Sequence, residues 1–201
     1  MKNNLVIKHN DLIEAKYELN LIEQKIILYA ATKIDTNKDN FTMVQIKVSD
    51  LTELMDTTIQ RYKEFSIIAD GLMDKGIYFK DRPDFSVRWV ASSEYIGDGI
   101  IELEFSQKLI PYLLQLKNKF TRYQLENILN LKSKYSIRLY ELMKQYEKIG
   151  KREFELEELK RILYCEGMYS DFRNFDRVVL DNAKQEINEN TDILITYDKL
   201  K

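Results

Sequence analysis

The sequence predicts an α+β, mainly helical protein made of tandem winged-helix domains related by internal duplication, with the second wing incomplete. Three observations lead there. Apolar residues at helical spacing run through YSIRLYELMKQY (135–146), then FELEELKRIL, then YSDFRNFDRVVLDNAKQEI. The same succession of three helical patterns stands near the start of the chain. After that first set the period changes to two: SVRWVASSEY and GIIELEFS alternate around IGDG (96–99), a β-hairpin with a glycine-containing turn. Helix, short helix, longer helix and hairpin is the order of a winged helix.

In chain order, LVIKHNDLIEA (5–15) starts as a short strand and passes into a turn or helix start at His9, Asn10 and Asp11. His9 is the single histidine and reads as a surface residue. LNLIEQKIILYAATKI (19–34) is the first helix, with Asn20 as N-cap and Glu23 at the capping-box position. FTMVQIKV (41–48) is a short strand and VSDLTELM (48–55) a brief helix. DTTIQRYKEFSIIADGLMDKGIYF (56–79) reads as one helix, opened by the capping residues Asp56, Thr57 and Thr58 and ended by Gly76. The hairpin of residues 85–105 follows as the wing. KLIPYLLQLKNKF (108–120) is expected to be a helix, with Pro111 in its first turn, and TRYQLENILNLKS (121–133) a further helical segment. In YSIRLYELMKQY, Ile137, Leu139, Tyr140, Leu142 and Met143 form the apolar stripe. Ser136, Arg138, Glu141, Lys144 and Gln145 fall mostly outside it.

The duplication is legible as an offset of about 110 residues. Tyr29 falls on Tyr140, Leu51 on Leu159, Tyr62 on Phe172, Phe65 on Phe175 and Ile68 on Val178. The expected domains are 1–116 and 117–201. In the second, Ile193 and Ile195 supply one alternating strand without a return strand, as in an abbreviated chain.

Composition bounds the chemistry. The chain has 201 residues, six Gly, two Pro and one Cys, with no apolar run near the ~20 residues that span a bilayer. The N-terminus lacks a signal-peptide core, so the expected compartment is cytoplasmic. Cys165 alone excludes an intramolecular disulfide and reads as a small semi-buried residue. No phosphate-binding glycine loop, paired histidines or nucleophilic triad is present. The expectation is therefore a non-enzyme without metal or cofactor.

Net charge is −2, yet residues 107–161 hold thirteen Lys/Arg against seven Asp/Glu, a local +6. Such a segment suits phosphate. Lys117, Lys119, Arg122, Lys132 and Lys134, with Arg138 counted among them, are its basic side chains. In a helix-turn-helix the start of the last helix enters the major groove. The first copy offers Thr58, Gln60 and Arg61 for bases and Lys63 for phosphate. The second offers Arg173, Asn174 and Arg177 for bases and Ser170 for phosphate. Arg suits guanine and Asn or Gln suits adenine.

The segments LNLIEQKIILYA, IELEFSQKLIPYLLQLKNKFTRYQL, LKSKYSIRLYELMKQY and FRNFDRVVLDNAKQEINENTDILITYD resemble, in order, the plasmid replication initiators of the Rep_3 type. That resemblance implies double-stranded DNA binding at origin repeats called iterons and recruitment of host replication proteins. It also implies a homodimer through the first domain that acts as autorepressor. Two readings compete with it: a winged-helix transcriptional repressor, and a winged-helix protein-interaction module with no DNA role.

Overall fold

The computed structural model describes residues 4–35, 39–40, 43–55, 62–114 and 116–200, with backbone alone at 54–55 and 62–63. β1 (Leu5–His9) runs into α1 (Asn10–Glu14). His9 is not a loose surface residue. It caps α1 by accepting the Asp11 N–H at Nδ1, 3.2 Å, and its ring meets Tyr112 edge-on at 5.9 Å. After β2 (Lys16–Tyr17), α2 (Leu21–Ala31) opens on the expected capping box. Asn20 Oδ1 accepts the Ile22 and Glu23 N–H groups, each at 2.9 Å, and Glu23 Oε2 accepts the Asn20 N–H at 2.7 Å.

β3 (Val44–Lys47), α3 (Val48–Met55) and α4 (Tyr62–Gly71) follow. The helix expected to reach Gly76 ends five residues earlier. Leu72–Asp74 form one 3₁₀ turn, Lys75 is extended, and Gly76 begins β4 (Gly76–Tyr78). The reason is a switch of period: Ile77 and Phe79 point inward while Tyr78 points out, and Ile77 pairs with Val87. The strand expected over SVRWVASSEY is split: β5 (Ser86–Arg88) pairs with β4, and β6 (Val90–Gly97) with β7 (Ile100–Phe105) forms the wing hairpin in another sheet. The β6–β7 turn is Asp98-Gly99, both at positive φ (51° and 73°), the requirement of a two-residue hairpin loop. β7 lies between β3 and β6, so among the described residues β6 is the hairpin strand with an open edge.

Residues 108–133 depart from the expected pair of helices. A 3₁₀ turn at Gln107–Leu109 leads to one helical turn, α5 (Ile110–Leu113), which stops at extended Leu114. Lys119 takes a positive φ of 50°, and Phe120–Gln124 form β8, followed by α6 (Glu126–Leu129). β8 pairs antiparallel with β1, with Ile7 opposite Arg122 at the centre. Thr121 and Tyr123 face inward and Arg122 and Gln124 outward, a period of two. The duplication therefore extends further than the three helices. A strand and a short helix precede the first helix of each copy, and the two copies join through these strands.

α7 (Lys134–Lys144) is where the copies meet. Its apolar stripe is buried as expected, but so is its polar side: Ser136 is 0%, Arg138 2% and Glu141 0% exposed. Glu141 sits in an ionic network reaching both halves of the chain. Lys8 Nζ is 2.8 Å from Oε1, Tyr123 donates to Oε1 at 2.6 Å, and Arg138 Nη1 is 3.3 Å from Oε2. Arg138 also donates to the Tyr17 hydroxyl and to the carbonyls of Ile13 (2.9 Å), Ala15 (2.8 Å) and Ile162 (3.3 Å). Burial raises the Glu141 pKa, and Lys8 and Arg138 more than offset this, so its carboxyl is held below the usual range. Arg138 is thus a structural cation and leaves the list of basic side chains open to phosphate.

α8 (Leu156–Ile162) carries Lys160 and Arg161 in its last turn, where cations suit the helix C-terminus. The last helix is continuous: α9 (Phe172–Phe175), a π turn over Asp176–Asp181, and α10 (Asn182–Asn190). Residues 193–199 are extended; 193 to 198 alternate half-buried and exposed, and Lys199 is exposed. They pair with no strand among the described residues. No helix is long and apolar enough to cross a membrane among those residues.

Candidate nucleic-acid interface

The second reading helix is fixed by one buried row. Phe175, Val179, Ala183 and Ile187 are all 0% exposed. Tyr169 meets Phe175 edge-on at 5.7 Å and Tyr135 at 6.4 Å, tying the helix start to α7. At the other end Glu186 Oε2 accepts the N–H groups of Lys132 (3.0 Å) and Ser133 (3.2 Å), just before α7 begins. With one side and both ends held, the remaining side has a defined direction. Arg173, Asn174 and Arg177 occupy it and are exposed. Arg177 Nη2 donates to Asn174 Oδ1 at 3.4 Å, and Arg173 stands beside them one turn before Arg177. Neither arginine has an ion pair among the described residues.

Ser170 is exposed in the turn before α9. The cap itself is Asp171, which accepts the Arg173 N–H at 3.0 Å. In the first copy Thr58, Gln60 and Arg61 lie outside the described residues. Lys63 is in α4, where the backbone alone is described.

The basic side chains divide into two groups. Lys117, Lys119 and Arg122 are exposed on β8 and the loop before it. Lys132 is exposed and Lys134 half-buried at the start of α7, with Lys134 Nζ 5.1 Å from the Tyr135 ring. None of the five has an ion pair among the described residues. Cys165 is buried rather than semi-buried, and burial pushes its thiol up to about 11, which makes it a poor nucleophile.

Comparison with known proteins identifies the family. The family model for the initiator replication protein, WH1, matches residues 5–144, and that for the initiator Rep protein, WH2, matches 155–201. A replication initiation protein of Escherichia coli is 28% identical over 214 residues, covering 99% of this chain and 66% of that protein. The PI protein of Escherichia coli is 35% identical over 123 residues, covering 53% of this chain and 40% of that one. The chain thus spans about two thirds of the first relative's length and less than half of the second's. The crystal structure of Pi initiator protein in complex with iteron DNA superposes with a TM-score of 0.74 at 24% identity, over 96% of this chain and 89% of that one. With both winged-helix domains matched in order, the chain belongs to the initiator replication protein family.

Proposed function

We propose that this protein binds repeated sites in the double-stranded DNA of a plasmid origin and thereby starts replication. The observation that carries this reading is the exposed Arg173–Asn174–Arg177 group on a helix whose opposite side is wholly buried. Arg and Asn are the side chains that read guanine and adenine edges, and a fixed helix presents them without further ordering cost. Family membership supports the replication role, and the solved relative was itself held on iteron DNA. In this reading the protein acts in the cytoplasm by binding alone, without catalysis or cofactor, and host replication proteins are recruited to the bound origin. The test is a titration of the full chain against duplexes cut from the DNA that flanks its gene, taking any tandem repeats found there as the cognate sites. Preference over a scrambled duplex supports the reading, and equal binding overturns it.

Lys117, Lys119 and Arg122 would hold phosphates beside that contact. Replacing any one by Gln is expected to weaken binding alike on cognate and scrambled duplexes and to lower the log–log salt slope by about 1. An unchanged slope in the triple variant would remove them from the interface.

A homodimer through the first domain would form the autorepressing state. β6 is its natural seam, since no strand among the described residues pairs with its outer edge and Ile96 is exposed there. Pro at an outward-facing N–H of β6 is expected to abolish dimers in sedimentation while leaving the helical circular-dichroism signal intact. A Pro variant that dimerises as well as the parent would exclude this seam.

A further inference from the structure

We propose that the extended segment 193–199 is a strap that keeps the reading arginines free, with Tyr197 and Lys199 as positioning residues for DNA recognition; this rests on the reading above that α9 meets DNA. The first part of the reading helix carries as many acids as bases. Over 171–184 there are Asp171, Asp176 and Asp181 against Arg173, Arg177 and Lys184. Asp176 lies three residues after Arg173, and Asp181 four after Arg177. Those are the spacings at which helical side chains pair. Left alone, both carboxylates would compete with DNA for the two arginines.

The strap occupies both carboxylates instead. The Tyr197 hydroxyl is 2.8 Å from Asp176 Oδ1 and 2.7 Å from Asp181 Oδ1, and Lys199 Nζ is 2.6 Å from Asp176 Oδ2. One phenolic proton is shared between two acids, and the Lys199 ammonium supplies the positive charge that makes this arrangement stable. The π turn makes the bridge possible. Asp176 and Asp181 are its first and last residues. In an α-helix, residues five apart point about 140° away from each other, whereas an i→i+5 turn brings them towards one side.

The segment is anchored as well as charged. Asn188 and the Ile195 backbone exchange two hydrogen bonds, of 3.0 Å and 2.7 Å. Ile193 and Ile195 pack on the core, and Lys199 Nζ lies 5.0 Å from the Phe172 ring at the helix start. Burial and the two acids raise the Tyr197 pKa, and the Lys199 hydrogen bond holds the Asp176 carboxyl below its ordinary range.

The experiment uses the full chain, duplexes of the flanking tandem repeats, and a scrambled duplex. Tyr197→Phe and Lys199→Met are each expected to lose roughly two- to threefold in cognate affinity, as the freed carboxylate pairs with its arginine. Asp181→Asn added to the first, and Asp176→Asn added to the second, should return binding to the parent's affinity, because each removes the competing acid. Unchanged binding in both single variants overturns the proposal. So does a loss at Lys199 that persists in the double variant, which would make Lys199 a direct phosphate ligand. A readout without DNA separates the strap from the DNA reading: by NMR titration, the Asp176 carboxyl should titrate below the ordinary aspartate range and rise in Lys199→Met. An ordinary Asp176 titration in the parent protein overturns the strap. Normal strap contacts with no preference for the repeats would instead overturn the DNA reading, and the strap's role in recognition with it.

Discussion

Replacing Glu141 by Gln is expected to lower the unfolding free energy by about 3–5 kcal/mol, the cost of removing one partner from a buried ion group. Glu141 is wholly buried and, among the described residues, is the one acid paired with Lys8 and Arg138, which are themselves 2% exposed. Gln keeps the shape and some hydrogen bonding but removes the charge, leaving two buried cations uncompensated. For a chain of this size the melting temperature should fall by roughly 6–20 °C, since each kcal/mol moves it by about 2–4 °C. The exposed pair Lys151–Glu153 is the control, because neutralising a pair fully screened by solvent should leave the melting temperature essentially unchanged.

The pH dependence has a definite direction. The folded Glu141 pKa lies below the ordinary glutamate value of 4.5, so the unfolded chain takes up the proton first as pH falls. The stabilisation is complete above that value and is lost as pH drops towards the folded pKa. The gap between parent and Glu141→Gln should therefore be widest near neutrality and shrink in acid. Urea unfolding at several pH values measures it. A loss under about 1 kcal/mol at neutral pH would mean that water reaches the cluster and that it does not hold the two halves together.

This network also marks the limit of what periodicity can tell. The α7 stripe was legible because Ile137 and Tyr140, and Leu139, Leu142 and Met143, recur at helical spacing. The burial of Ser136, Arg138 and Glu141 was not, because spacing reports residue types along one element and not what lies on its other side. Here the other side is occupied by β1, β2 and the end of α8, brought in from 120 residues away or from the next helix. β8 was missed for a different reason. Five residues, FTRYQ, are too few to separate a strand from a helical turn, and only the alternation of Thr121 and Tyr123 with Arg122 and Gln124 marked it. The capping box at Asn20 and Glu23 and the Asp98-Gly99 turn were legible because both are local chemistry, complete within four residues. The π turn did leave a trace. Phe175, Val179, Ala183 and Ile187 recur every four residues, and a strict four-residue repeat drifts away from 3.6 residues per turn. The wider turn takes up that drift and keeps the row facing inward.

The same row underlies the prediction closest to function. Arg173→Ala or Arg177→Ala is expected to cost about 1–3 kcal/mol at the cognate repeat, roughly 5- to 150-fold in affinity, and much less on a scrambled duplex. Both side chains are exposed and free of ion pairs among the described residues, and the helix beneath them is fixed by four fully buried residues, so truncation should leave the fold intact. Unfolding by urea should confirm that, with changes within about 0.5 kcal/mol for an exposed substitution. The ratio of losses on the two duplexes carries the information. A side chain that reads a base loses more on the sequence it reads, while one that holds a phosphate loses equally on every sequence and lowers the salt slope. Asn174→Ala should follow the arginines if the three act as one group, since Arg177 donates to Asn174. Equal losses on cognate and scrambled duplexes for all three would make this helix a backbone contact and move sequence reading elsewhere in the protein.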